Sequence, residues 1–276
     1  MESEKILCLG VSMEMNGSGD AAAAVEANLL AWVDIIGAFE GARVERAGHA
    51  ARWTSPTQLP LFNGIIGSPD ISGTEGVDAL LRPYDEGSIP LLWIVPGVDP
   101  VLAAELVTRG FDVLDLPGMA MQLAALPDAE AVPGVAVHEV DGDLELLEEA
   151  TRISLVTNGF PPEAVAPLVA GLMRYPDRRS VRTFLATMDG TPAAASTLLC
   201  AAGVAGLYNV GTLEGFRGRG LGRLISLAAL RAGHEQDLRM GVLQASPMGE
   251  PVYRAIGFEE CSRFIWAVRG LPETPS

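Results

Sequence analysis

The chain has 276 residues, enough for one large domain or two of ordinary size, with 49% apolar and 20% charged residues, as in folded proteins with a real core. Its formal charge of -16 argues against nucleic acid and against anionic membrane surfaces, since both recruit an excess of Lys and Arg. The same charge would welcome a cationic or amine substrate, although acidity also simply keeps proteins soluble.

The opening MESEKILCLGVSMEM starts acidic, lacks a long apolar core and reads as no signal peptide. No apolar run approaches the ~18 residues of a membrane span, so the expected location is cytoplasmic. Cys8, Cys200 and Cys261 are widely spaced without a C-x-x-C pair, which predicts buried, reduced thiols rather than a zinc site or disulfides. His49, His138 and His234 show no metal-ligand spacing, and no metal is expected.

Gly17, Ser18 and Asp20 supply start signals for a long helical pattern over Asp20–Phe39. Strand-like runs follow at Leu59–Ile66 and Leu91–Val95, with a short helix between them over Val77–Tyr84. Pro100–Arg109 reads as a helix closed by Gly110, and FDVLDL resumes extended structure. The mixture of Pro, Gly and acids in LPDAEAVPGVAV, Leu126–Val137, reads as a linker, with a boundary near Asp128 dividing the chain into 1–127 and 128–276.

Beyond it come a strand at Val135–Val140 and a helix over Asp143–Val156, with acids at its positive end. A second helix spans Pro162–Met173, where Pro167 predicts a kink or break. Strands are predicted at Val181–Thr187, Pro192–Cys200 and Val204–Thr212, the first two joined by an Asp-Gly hairpin. Helix Leu221–Ala232, strand Arg239–Ala245, helix Gly249–Ala255 and strand Phe258–Val268 complete the chain. The halves resemble each other weakly. LLWIVPGVDPVLAAELVTRGFDVLD and GVLQASPMGEPVYRAIGFEECSR both read strand, Pro/Gly loop, short helix, Gly-Phe, strand, which looks like an internal duplication.

One stretch stands out. GFRGRGLGRLI, Gly215–Ile225, concentrates glycine and arginine between a predicted strand and a predicted helix. Glycines let a backbone approach a ligand closely, helix-start N–H groups lack internal partners, and arginine forks match phosphate oxygens. The P-loop pattern fails because no Lys-Ser or Lys-Thr follows, and the dinucleotide fingerprint fails because Gly218, Gly220 and Gly222 alternate. The pattern Arg217-x-x-Gly220-x-Gly222 does fit a phosphate-binding signature.

With that pattern in YNVGTLEGFRGRGLGRLI, the sequence resembles the GNAT family of acetyl-CoA-dependent N-acetyltransferases, whose signature is R/Q-x-x-G-x-G/A after a central strand. ASPMGEPVYRAIGF adds a second match, with Ser246, Tyr253, Gly257 and Phe258 in the family's register. The resemblance covers Val135–Val268 and is only architectural before that. It implies an α/β fold of layered α+β type, with two GNAT-like mixed β-sheet units and flanking helices, the second catalytic. It also implies acetyl-CoA as co-substrate, its pyrophosphate on the backbone of Gly218, Arg219, Gly220, Leu221 and Gly222 with help from Arg217. Its pantetheine arm would run along Tyr208–Thr212, beside Val210, Gly211 and Thr212, with Ser246 near the cofactor. That strand would splay from Gly241–Ala245 to admit the thioester.

Within the resemblance, Tyr253 is placed as the general acid for the departing thiolate; otherwise it is an apolar cap on Phe258. Glu214 and Asn209 are candidates for a base or a water-holding group, and a water chain needs neither. Asn158 and Phe160, with Tyr208, are candidate substrate contacts, unless Asn-Gly-Phe-Pro-Pro is only a turn. Arg223 and Arg231 read as solvated helix charges, and Trp32, Trp53 and Trp93 as core or interface packing. In the first half, the loop equivalent SPDISGTEG, Ser68–Gly76, lacks arginine and carries Asp70 and Glu75, and Leu106 stands where Tyr253 would. That half is expected to be catalytically inert, building part of the acceptor pocket or an oligomerisation surface for a homodimer. The expected partner is a small-molecule amine. A non-catalytic acyl-CoA sensor and a protein or peptide N-acetyltransferase stay open.

Overall fold

The computed structural model describes residues 18–47, 50–67, 74–140 and 142–270. The expectations for Cys8, His49 and the opening segment lie outside them. The N-terminal half supplies strands β1 (Arg43–Ala47), β2 (Ala50–Thr54), β3 (Gly64–Ile66), β4 (Leu91–Pro96) and β5 (Asp112–Gln122). The C-terminal half supplies β6 (Val135–Val140), β7 (Val181–Met188), β8 (Thr191–Ala201), β9 (Val204–Thr212), β10 (Met240–Gln244) and β11 (Glu259–Arg269). Helices α1 (Ser18–Gly37), α2 (Thr74–Glu86), α3 (Pro100–Thr108), α4 (Leu144–Thr157), α5 (Val165–Arg174), α6 (Leu221–His234) and α7 (Glu250–Ile256) flank them.

The described strands form one mixed sheet in the order β1-β2-β3-β4-β11-β5-β10-β9-β8-β7-β6. Each half lends its last strand to the other. β5 pairs antiparallel with β10, and β11 pairs antiparallel with β4. β5 and β11 pair with each other at the centre. The mixed α/β layering expected from the sequence is present, but in a single sheet rather than two. Removing either half would leave an open strand edge in the other. The linker after β5 is tied down as well, since the Arg231 guanidinium donates to Pro127 O at 2.9 Å.

Alternation along β11 sorts the layers. Phe264, Trp266 and Val268 pack with α1 and α5, while Ile265 and Ala267 pack with α2 and α3. α1 buries Val25, Leu29, Val33 and Ile36 at helical spacing. It lies across strands of both halves and is anchored by the fully buried Asn28, whose Nδ2 donates to Leu199 O at 3.1 Å and Ala201 O at 2.9 Å. α6 and α7 pack on the opposite face around Leu227, Leu230, Leu243 and Ile256.

Two local expectations change. Leu59–Ile66 is not one strand but a 3-10 turn over Pro60–Phe62 followed by the short β3. Pro60 has no N–H to offer a ladder, and the Asn63 side chain holds the turn by accepting from Ser55 N and donating to Thr57 O and Leu59 O. At Pro167, the break comes earlier: a 3-10 turn covers Pro162–Ala164 and α5 begins at Val165. Pro167 therefore sits in the first turn, where its missing N–H costs nothing.

Candidate active site

β9 and β10 run parallel but pair only at Ala205↔Gly241 and Gly206↔Val242. Past Gly206 the ladder stops and the strands diverge, so the β10-facing edge of Tyr208–Thr212 opens into a wedge. On its other side β9 has two residues, Asn209 and Val210, where β8 has one, Ser196, between the pairs Thr197↔Tyr208 and Ala195↔Gly211. Asn209 absorbs the extra residue at a φ of 53°, a left-handed value that Asn tolerates better than most residues. The bulge splits the strand between two spaces. Tyr208 and Asn209 line a small cavity under α1, whereas Val210, Gly211 and Thr212 line a larger cleft of about 450 Å³. A Cβ at Gly211 would fall on Thr157 Oγ1, so glycine lets the end of α4 close onto β9.

The glycine-arginine loop forms the mouth of that cleft. After a 3-10 turn over Glu214–Phe216, Gly218 and Gly220 adopt φ values of 74° and 82°. Gly220 is the N-cap of α6 and supplies no side-chain cap. The first helical bond runs from Leu224 N to Gly220 O, so the N–H groups of Leu221, Gly222 and Arg223 have no helical acceptor. All three residues line the cleft, together with Arg217, whose Nε donates to Thr212 O at 3.2 Å. Donor-rich backbone at a helix start, flanked by two guanidinium groups, is suited to a phosphate anion. The Arg219 side chain turns elsewhere, over the Phe216 ring at 5.9 Å and to Met188 Sδ at 3.3 Å.

The opposite wall is α7 and the turn before it. Ser246 Oγ accepts from Gly249 N at 3.2 Å and lines the cleft. Tyr253 lines it too, 9% exposed and edge-on to Phe258 with centroids 6.0 Å apart. Burial pushes its phenol well above the usual tyrosine range, so at neutral pH it is a proton donor. The alternative roles foreseen for Tyr253, cap and acid, are compatible: the ring packs while its residue borders the cleft.

The other sequence candidates divide. Asn158 ends α4, donates from Nδ2 to Ser154 O at 2.7 Å and lines the cleft. Phe160 packs with the α1–α5 cluster and borders neither space. Glu214 is exposed and borders neither space. Cys200 is half-buried, with burial pushing its thiol up to about 11, which leaves it protonated at neutral pH and poorly suited to nucleophilic attack. Thr157 and Met248 border the cleft without having been singled out in the sequence, and Arg223, expected to be a solvated helix charge, borders it too. Arg223 lies in the first turn of α6, and that position was the available signal.

One turn of the N-terminal half has the same backbone bonds as the turn after α7. Phe258 N donates to Tyr253 O at 3.0 Å and Phe111 N to Leu106 O at 3.1 Å, each around a left-handed glycine, Gly257 or Gly110. Leu106 therefore occupies the backbone position of Tyr253, and it is fully buried. β3 and β4 stay paired from Gly64↔Leu92 to Ile66↔Ile94, and Gly67 N continues to Ile94 O at 2.9 Å. No wedge opens between them. Most of the loop equivalent, Ser68–Gly76, lies outside the described residues.

Residues 125–243 match the family model of the acetyltransferase (GNAT) domain. Over that stretch the sequence is similar to a GNAT acetyltransferase domain, whose fold is associated with acyl transfer from coenzyme A. No curated protein matches the sequence. Among solved structures, a GCN5-related N-acetyltransferase from Kribbella flavida aligns with a TM-score of 0.67 at 20% identity, over 91% of this chain and 96% of that one. A GCN5-related N-acetyltransferase from Sphaerobacter thermophilus aligns with a TM-score of 0.55 at 17% identity, over 95% and 96% of the two chains. A tandem GNAT protein from the clavulanic acid biosynthesis pathway aligns with a TM-score of 0.51 at 15% identity, over 93% and 96%. At such identities the likeness is one of fold. No described helix is long and apolar enough to cross a membrane.

Proposed function

We propose that the protein transfers an acetyl or other short acyl group from acyl-CoA to a small-molecule amine by direct attack. One observation carries the reading: the anion-binding loop, the open strand edge and the Tyr253 ring border a single cleft of about 450 Å³. The N–H groups of Gly218–Gly222, with Arg217 and Arg223, would hold the pyrophosphate. The backbone of Val210–Thr212 would pair with the pantetheine amides like an added strand. The amine nitrogen attacks the thioester carbonyl carbon, a C–N bond forms, the C–S bond breaks, and Tyr253 gives its proton to the thiolate.

Among the described residues no carboxylate borders the cleft or the cavity beside it. In this reading the proton of the attacking amine leaves to water, with Asn209 positioned to hold that water, and Glu214 takes no part. The N-terminal half is a diverged second copy, occupying residues 1–127. The closed β3–β4 ladder and Leu106 support a non-catalytic role for it. The test is thiol release from acetyl-CoA in the presence of pooled amines. Amine-dependent release is expected; acetyl-CoA binding without any release would instead favour a sensor.

A further inference from the structure

β9 is shared between two spaces in a definite order along the chain. Thr212, Gly211 and Val210 line the cleft, and the two residues before them, Asn209 and Tyr208, line the cavity of about 90 Å³ under α1. In the acyl-transfer reading the pyrophosphate lies at the start of α6, beyond Thr212, and the pantetheine arm runs back along the strand from Thr212 to Val210. The thioester then arrives beside Asn209. A chain hanging from its carbonyl carbon continues towards Tyr208 and the cavity.

The cavity wall suits hydrocarbon. It is built from aliphatic side chains such as Leu29 and Leu61 and from the rings of Trp32, Trp53 and Trp266. The indole nitrogens are shielded, so these rings present carbon to the space. The Tyr208 hydroxyl is engaged by Asn28 at 2.8 Å. Among the described residues no charged side chain borders the cavity. An amine arriving there as an ammonium ion would lose its hydration with no carboxylate to replace it. An acyl chain is neutral and gains from leaving water. Folded cores leave few voids larger than a water molecule, and this one stands where the thioester ends.

We infer that the cavity receives the acyl chain of the donor, and that the preferred donor carries a four- or five-carbon aliphatic acyl group, such as butyryl or isovaleryl, rather than acetyl. The inference rests on the acyl-transfer reading above and keeps its bond changes, with C–N forming and C–S breaking at the same carbonyl carbon. Volume sets the length. At about 30 Å³ for each water-sized group, a space of about 90 Å³ takes about three carbons beyond the carbonyl. An acetyl methyl would leave most of it unfilled. A ring needs more room, since a cavity that binds benzene measures about 150 Å³. Trp32, Trp53 and Leu61 come from the first half, which gives that half a part in choosing the donor.

Isothermal calorimetry tests this without an acceptor. The native protein is titrated with free CoA and with acetyl-, butyryl-, isovaleryl-, octanoyl- and benzoyl-CoA. Each buried methylene adds about fourfold in affinity, so butyryl- and isovaleryl-CoA are expected to bind about tenfold more tightly than acetyl-CoA. Octanoyl- and benzoyl-CoA should fall short of both. Two substitutions move the limit in opposite directions. Leu61→Phe takes up space and should bring butyryl-CoA back to the affinity of acetyl-CoA, whereas Trp32→Leu adds space and should strengthen benzoyl-CoA several-fold. Free CoA, which reaches only the cleft, reports whether each variant is folded. Acetyl-CoA bound as tightly as butyryl-CoA by the native protein overturns the inference and leaves acyl transfer standing. A butyryl preference that survives Leu61→Phe in a variant still binding free CoA overturns it too. No binding of any CoA thioester overturns both readings together.

Discussion

The Tyr208 hydroxyl donates to Asn28 Oδ1 at 2.8 Å, across 180 residues of sequence. Asn28 belongs to α1 of the first half and Tyr208 to β9 of the second, at the point where the strand begins to leave β10. Through its Nδ2, Asn28 also holds the carbonyls of Leu199 and Ala201 at the β8–β9 hairpin. A Cβ at Gly206 would fall on Asn28 Oδ1, so glycine is what admits the side chain this close. The first half thereby braces the strand that borders both cavity and cleft.

Replacing Asn28 by Ala removes the acceptor of the Tyr208 hydroxyl and the amide donor to the carbonyls of Leu199 and Ala201. The expected loss of stability is about 2–4 kcal/mol, read as a lower urea midpoint. An unchanged midpoint would mean that the buried amide contributes nothing to joining the halves.

Tyr253→Phe retains the ring that packs on Phe258 and removes only the hydroxyl. Turnover should fall by about 10²-fold or more, while KM for acetyl-CoA stays within a factor of two or so. Unaltered steady-state turnover would remove Tyr253 from the chemistry and leave it a packing residue.

Burial pushes the phenols of Tyr84, Tyr208 and Tyr253 well above the usual tyrosine range. A raised folded-state value means that the fold favours the neutral form. Its stabilisation is complete below the unfolded value and declines as pH rises beyond it. Stability should therefore lose up to about 1.4 kcal/mol per pH unit for each such tyrosine above roughly pH 10. Urea melts between pH 8 and pH 11 check the sign; stability that rises over that interval contradicts it. For activity, the alkaline limb set by Tyr253 should lie above roughly pH 10, leaving the acceptor's own ionisation to shape the profile at neutral pH.

Cutting the chain at the expected boundary and keeping residues 128–276 removes β5 from between β11 and β10. The fragment loses ladders on both sides of the gap and the α1 cover over β9. It should be insoluble or lack cooperative unfolding by circular dichroism. A folded, fully active fragment would show that the C-terminal half is self-sufficient.

The parts of the site that sequence made legible are local ones. Arg217, Gly220 and Gly222 sit within six consecutive positions, and Tyr253 is tied to Gly257-Phe258 by a single helical turn, so spacing alone conveys them. The exchanged strands were hidden because nothing in FDVLDL or in Phe258–Val268 says which strand each will pair with. Pairing depends on the whole sheet. β1 and β2 escaped notice because their charged residues, such as the Arg52–Glu45 pair at 2.5 Å, belong to an exposed edge and blur the alternation. The indole-lined cavity needs positions 32, 53 and 266 together, and only the exchange of β11 into the first half brings Trp266 there. Glu214 looked plausible from its place after β9, but the 3-10 turn carries it outward to solvent.

The most direct measurement is isothermal calorimetry of acetyl-CoA against the protein and against Arg217→Ala. Saturable binding near one site per chain is predicted for the native protein, weakened about tenfold by the loss of one phosphate-facing guanidinium. No heat with acetyl-CoA or free CoA, or equal affinity in the Arg217→Ala variant, would contradict the assignment of the glycine-arginine cleft.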